Sequence, residues 1–250
     1  MVKVNSKSNN NFYIYGKHPV LFSLKNKKRE FFKIYTSNID ELKKYIQDNK
    51  ISIKQNIIEY KANNELNKLF IDNINHQGYV ASVSKNKTFT IDDFVVNVKN
   101  QKQLPRIIIL DQLTDPHNIG AIIRTAVAFN VEYIITTKYN SPKDYSVILK
   151  SSAGMSELIN IIEVVNVNNT IEVLKKCGYF VIGMAGEARQ DIKDIKDSNN
   201  LCLVIGSEGN GIRQLVKKNC DELYKITTNS EVESLNASVA TAIAIYKLWG

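Results

Sequence analysis

The chain is predicted to be an α/β protein with a C-terminal domain on a mostly parallel sheet and a smaller N-terminal α/β domain. Three observations predict this. From Pro105 onward the runs RIIIL, YIITT, NIIEV, YFVIG, LCLVIG and ELYKI are short and β-branched, and each is followed by a polar loop and often a helical pattern. Continuous apolar strands alternating with helices belong to parallel sheets covered on both faces. Residues 12–84 carry a shorter alternation of their own, and between Lys85 and Leu104 the periodicity fades while Asn and Lys accumulate. A chain of 250 residues is long enough for two such domains.

Taken in order, YGKHPVLFSLKNKKR has apolar positions at helical spacing after a polar lead, and FFKIYTS reads as a strand. NIDELKKYIQDNK reads as a helix with Asn38 or Asp40 near its N-cap, and IIEYK, ANNELNKLF and GYVASVS continue as strand, helix, strand. These segments define an N-terminal domain over 12–84, a linker over 85–104 and a C-terminal domain over 105–250. Ligands of an open parallel sheet sit outside the carboxyl ends of its strands, so the loops after the C-terminal strands are the place to look for chemistry.

Lys and Arg number 33 against 25 Asp and Glu, giving a net charge of +8, which suits a polyanionic partner such as nucleic acid. A bias toward Lys, Asn and Ile codons would give the same balance, so charge alone assigns nothing. Cys177, Cys202 and Cys220 form no C-x-x-C pair and fall in or beside apolar runs, so they read as reduced, buried small hydrophobes of a cytoplasmic protein. The start, MVKVNSKSNNNF, lacks the apolar core of a signal peptide, and no run approaches the roughly 20 apolar residues of a membrane helix.

Three loops carry the functional signal. DQLTDPHNIGAIIRTAVAFN turns from a polar loop into an apolar helix, with Asn118 at its mouth and a lone charged Arg124 further along. LVIGSEGNGIRQLVKKN runs from a strand into a glycine loop containing Glu208. Its order is G-x-x-G-x-G, which fails the dinucleotide fingerprint, and Ile212 and Arg213 stand where a P-loop needs Lys then Ser or Thr. A carboxylate in mid-loop would also repel phosphate; taken alone, the loop reads as a tight turn whose glycines serve geometry. KITTNSEVESLNASVATAIAIYKLWG places Ser234 as the N-cap of an apolar helix, with Asn236 inside the first turn. If all three loops leave one edge of a parallel sheet, Asn118, Arg124, Glu208, Ser234 and Asn236 converge. His18, His76 and His117 lie far apart in sequence, and no metal site is built from them.

DPHNIGAIIRTA, VIGSEGNGI and SLNASVATAIAIY, in that order, resemble the three signature motifs of the SpoU (TrmH-like) branch of the SPOUT methyltransferases. YGKHPVLFSL and HQGYVA resemble that family's N-terminal substrate-binding domain, similar to the ribosomal L30e-like RNA-binding fold, in the subfamily that modifies a guanosine of 23S rRNA. The resemblance implies a deep trefoil knot in the C-terminal domain, S-adenosylmethionine as cofactor, an RNA substrate methylated at a ribose 2′-hydroxyl, and a homodimer. By position it implies cofactor contacts at Gly206, Ile226, Leu235 and, more weakly, Ala185.

Arg124 corresponds to the arginine that the family uses on the target nucleotide. A guanidinium holds a phosphate or an emerging alkoxide by paired hydrogen bonds and is a poor proton acceptor, so it positions and stabilises. Asn118 and Glu208 are then expected to fix Arg124 and the loops, and Ser234 and Asn236 to line the cofactor and ribose pocket. The chain departs from the family pattern in having Thr227 and Thr228 after Ile226, and Ser230 where glycine is common. A tRNA or other rRNA site, an inactive RNA-binding module and a Rossmann oxidoreductase are the alternatives. The failed glycine fingerprint argues against the last.

Overall fold

A computed structural model of the chain describes residues 12–84, 89–142, 145–195, 200–229, 231 and 234–250. They form two compact units, one made of Met1–Lys87 with Lys143–Leu158 and the other of Thr88–Pro142 with Ile159–Gly250.

The strands are β1 (Phe12–Tyr15), β2 (Phe31–Thr36), β3 (Ile58–Tyr60), β4 (Tyr79–Val83), β5 (Arg106–Asp111), β6 (Val131–Thr137), β7 (Asn160–Val164), β8 (Phe180–Met184), β9 (Gln190–Asp191), β10 (Leu201–Gly206) and β11 (Glu222–Lys225). The helices are α1 (Lys17–Ser23), α2 (Ile39–Asp48), α3 (Asn63–Asn67), α4 (Ile91–Val98), α5 (Pro116–Ala128), α6 (Tyr145–Ser151), α7 (Val167–Lys176), α8 (Gln214–Asn219) and α9 (Ala237–Trp249).

In the first unit the sheet order is β1-β4-β2-β3, with β4 antiparallel to β1 and β2, and β3 parallel to β2. Ile14, Ile34, Ala81 and Val83 on one sheet face pack with Val20 and Leu21 of α1 and Leu42 and Ile46 of α2. Leu149 of α6 belongs to the same core. A buried ion pair fastens this distant segment: Arg29 Nη2 donates to Glu157 Oε1, Arg29 Nε to Glu157 Oε2 at 3.3 Å, and Asn26 Nδ2 to the same oxygen at 2.7 Å. Both charged side chains are fully buried. Burial of ions needs this kind of saturation by hydrogen bonds, because desolvation is otherwise unrepaid.

The second unit has a seven-stranded sheet in the order β7-β6-β5-β10-β8-β11-β9, and every pairing in it is parallel. Ile107, Ile109, Tyr133, Ile135, Cys202 and Val204 point into a core with Phe94 and Val98 of α4, Ile171 and Leu174 of α7, and Val216 of α8. The alternate residues Ile108, Leu110, Ile134 and Leu203 are buried as well, so the opposite face is covered, with α5 packed against α9 and α9 against β10. Two buried faces explain why these strands read as unbroken apolar runs.

The structure differs from the sequence reading in places. The interval 85–104 carries α4, closed by a capping box in which Thr90 Oγ1 accepts from Asp93 N at 3.1 Å and Thr90 N donates to Asp93 Oδ2 at 3.0 Å. Phe94 and Val98 anchor that helix in the core, which the short pattern IDDFVVNV amid Asn and Lys did not announce. Helix α1 stops at Ser23, well short of the full YGKHPVLFSLKNKKR pattern, whereas Asn38 is the N-cap of α2 by position, without a side-chain cap bond. Cys202 is buried, whereas Cys177 and Cys220 are half-buried against the core; all are free thiols. Burial pushes the Cys220 thiol up to about 12.

Candidate active site

The strand order reverses beside β5: the chain moves from β5 outward to β6 and β7, returns to β8, and then inserts β10 between β5 and β8. Gly206 at the end of β10 therefore lies in register with Asp111 at the end of β5. The loops that follow β5, β8, β10 and β11 all leave the carboxyl edge around this reversal, where open parallel sheets hold ligands.

Helix α5 begins at this edge with Pro116 in its first turn and Asp115 as N-cap, whose Oδ1 accepts from His117 N at 2.9 Å. Asn118 lies in the first turn and is buried; Arg124, six residues on, is exposed, and no described residue takes its guanidinium. Helix α9 begins with Asn236, whose Oδ1 accepts from Ser238 N at 2.9 Å, Ser238 Oγ at 2.6 Å and Val239 N at 3.4 Å. Asn236 is thus the N-cap, correcting the assignment of that role to Ser234. An amide oxygen reaches two orphan amides of α9, while Ser234 lies two residues before the cap, exposed.

The cap fixes the orientation of the Asn236 amide, since its oxygen must face the helix and its nitrogen the opposite way. That nitrogen donates to Glu208 Oε1 at 3.0 Å and to Asn118 Oδ1 at 3.1 Å, and Asn118 Nδ2 donates to the same Glu208 oxygen. One side chain from each of the three sequence motifs thus enters a closed triangle. Asn118 and Glu208 bind each other and Asn236, and no hydrogen bond among the described residues joins either of them to Arg124.

Between Gly206 and Arg213 the loop folds on itself. Ser207 N donates to Gly211 O at 3.1 Å, Gly211 N to Ser207 O at 2.9 Å and Asn210 N to Glu208 O at 2.9 Å. A Cβ on Gly206 would lie 2.0 Å from the carbonyl carbon of Gly211 and 2.2 Å from Ile212 N, so the glycine is required by the loop's own backbone. Gly209 and Gly211 hold φ of +76° and +62°, which side-chain-bearing residues adopt at a cost. Arg213 closes the loop onto the fully buried Asp111: its backbone N donates to Oδ2 at 3.0 Å, and its Nε and Nη2 to Oδ1 at 2.9 and 2.6 Å.

Of the remaining predicted positions, Ala185 is buried and its N donates to Tyr224 O at 2.8 Å, tying the loop after β8 to β11. Ile226 and Leu235 are half-buried. Thr227 N donates to Asp191 Oδ2 at 3.2 Å, and hydrogen bonding from Thr227 is the main reason the Asp191 carboxyl lies below its ordinary value. Ser230 lies outside the described residues. Asn118, Glu208 and Asn236 are joined by hydrogen bonds, and Arg124 and Ser234 are not joined to them. Asp111 and Arg213 were missed as site residues. The signal available was a carboxylate ending an otherwise apolar strand, and a lone arginine just past the glycine loop.

Residues 105–246 match the SpoU rRNA Methylase family, and residues 13–89 match the family described as RNA 2′-O ribose methyltransferase substrate binding. The chain belongs to the SpoU family of RNA 2′-O-ribose methyltransferases. It is 34% identical over 238 residues to the TrmH family tRNA/rRNA methyltransferase YacO of Bacillus subtilis, covering 95% of this chain and 94% of the relative. It is 33% identical over 246 residues to the 23S rRNA (guanosine-2′-O-)-methyltransferase RlmB of Vibrio parahaemolyticus, covering 95% and 96%. Among solved structures, an AdoMet-bound rRNA methyltransferase from Sinorhizobium meliloti shares the fold with a TM-score of 0.76 at 19% identity, covering 95% of this chain and 86% of that one.

Proposed function

We propose that the chain transfers the methyl group of S-adenosylmethionine to the ribose 2′-hydroxyl of a guanosine in 23S rRNA. The observation that carries this reading is the triangle of Asn118, Glu208 and Asn236, which locks the three motif loops together while leaving the exposed Arg124 guanidinium without a partner among the described residues. The guanosine and the 23S rRNA follow the named activity of the Vibrio relative, which matches along nearly its whole length.

The residues fit the cofactor. Gly206 at the end of β10, with Ala185, Ile226 and Leu235 on the loops after β8 and β11, puts small or apolar groups at this edge, suited to an adenosine. When bound, S-adenosylmethionine supplies an already activated methyl carbon, so what the chain must add is alignment, worth several kcal/mol in a well-oriented site. Arg124 holds the target nucleotide and stabilises negative charge on its 2′-oxygen. Asn118, Glu208 and Asn236 hold the loops at fixed spacing around it, and Ser234 adds a hydroxyl near the ribose.

The first unit, with residues 12–84, holds the RNA and the second unit carries out transfer, the latter threaded as a trefoil knot; insertion of β10 between β5 and β8 is compatible with such threading. Two copies act together. Val239, Ile243 and Tyr246 form an exposed apolar stripe at spacings of four and three residues along α9, with 48%, 40% and 69% exposure, and Tyr246 packs edge-on to Phe129. Such a stripe suits an isologous helix contact.

The test is to incubate the protein with methyl-labelled cofactor and bulk RNA lacking the modification, then map the alkali-resistant bond. A single 2′-O-methylguanosine in 23S rRNA is expected. Label confined to tRNA would replace the substrate and keep the chemistry, and base methylation would overturn both.

A further inference from the structure

We propose that Asp111 and Arg213 form a positioning pair that sets the shape of the 206–213 loop and, through it, the reach of Glu208 to Asn118 and Asn236. This deepens the reading above and rests on it for the role of the loop. The loop begins beside Asp111 in the sheet and ends on its carboxylate. Gly206 lies beside Asp111 in the sheet register, and after the turn Arg213 returns to Asp111 with its backbone N–H and two guanidinium nitrogens, so both carboxylate oxygens are engaged. Asp111 is fully buried, whereas the Arg213 side chain is 42% exposed. The carboxylate is the buried member of the pair and the guanidinium its solvent-facing partner. A guanidinium satisfies this geometry because Nε and Nη2 lie in one plane and approach one oxygen together, which an ammonium cannot reproduce.

Between these fastenings Glu208 is held by Asn118 and Asn236, and Gly209 and Asn210 by little beyond the turn itself. Glu208, Gly209 and Asn210 are exposed, and two glycines sit in left-handed backbone. The bonds that shape the turn are those between Ser207 and Gly211. With the base of the loop released, Glu208 loses its fixed distance to two amides on different helices. Glycine-rich segments gain much freedom when released, so the loss of order is cooperative across the turn.

Site-resolved amide hydrogen exchange and cofactor affinity, measured together on Asp111→Asn, Arg213→Met and Arg213→Lys, test this. The expected result is that the Ser207 and Gly211 amides lose protection by at least about tenfold in Asp111→Asn and Arg213→Met, that the amides of β5 and β10 stay protected, and that Arg213→Lys restores only part. The dissociation constant for S-adenosylmethionine should rise by at least about tenfold in the first two variants while wild type binds normally. Unchanged loop protection overturns the pair as a positioning device, whatever the cofactor does. Equal loss across β5 and β10 also overturns it, since the pair would then be a support of the whole sheet. A wild-type protein that protects its loop but binds no S-adenosylmethionine overturns the cofactor reading and leaves the fastening itself standing.

Discussion

Replacing Gly206 with alanine introduces one methyl group at the crossing point of the candidate site. Its Cβ would lie 2.0 Å from the Gly211 carbonyl carbon, 2.2 Å from Ile212 N and 2.3 Å from Gly211 O, more than an ångström inside ordinary contact. The obstructing atoms are backbone, and that backbone is held by the Ser207 and Gly211 bonds on one side and by Arg213 on Asp111 on the other. No side chain can rotate out of the way, so strain falls at the upper end of overpacking, about 3 kcal/mol. For a unit of this size, that corresponds to a fall of about 6–12 °C in the melting temperature. The displaced loop also carries Glu208 away from Asn118 and Asn236, so cofactor affinity should fall with it. Calorimetric melting and titration with S-adenosylmethionine measure the two effects. A variant that melts within about 2 °C of wild type and binds equally well would refute the argument that this glycine answers to its own loop.

Two further predictions concern the first unit. Glu157→Gln leaves the Arg29 guanidinium buried without its carboxylate, which should cost about 3–5 kcal/mol in chemical denaturation of that unit; a loss below about 1 kcal/mol would show that the pair is not buried in solution. His76 is buried, its Nδ1 accepts from Gly78 N at 3.0 Å, and burial lowers its pKa, so the fold favours the neutral ring. A histidine with a lowered folded value contributes stability that is present above its ordinary value near 6.5 and is lost as pH falls toward the folded value. Stability of wild type should therefore decline below about pH 6.5 more steeply than that of His76→Gln, and parallel curves would contradict the assignment.

The sheet of the second unit was legible in the sequence because both its faces are buried, leaving unbroken runs such as RIIIL and LCLVIG. Helix α4 was not, since its anchor residues Phe94 and Val98 occupy one face of only two turns and its cap needs Thr90 and Asp93 read together. Asn118 and Asn236 were visible as amides at helix mouths, and Glu208 as a carboxylate in a glycine loop. Their partners were not, because Asn118, Glu208 and Asn236 meet across separations of 90 and 118 residues that only the strand order closes. Ser234 and Asn236 are both good caps only two residues apart, and which of them caps the helix depends on where the backbone enters it. The membership of Lys143–Leu158 in the first unit had no local signal at all, since Arg29 and Glu157 belong to distant segments with ordinary surface-like neighbours.

The most direct test of the account compares wild type with Arg124→Ala in single-turnover methyl transfer to RNA, alongside titration of S-adenosylmethionine. Arg124 is exposed and has no partner among the described residues, so its removal should leave the fold and cofactor affinity within about twofold of wild type. Transfer to the 2′-hydroxyl should fall at least about a hundredfold, the scale of losing one preorganised electrostatic contact to a developing oxyanion. Undiminished transfer by Arg124→Ala would contradict the account at its centre.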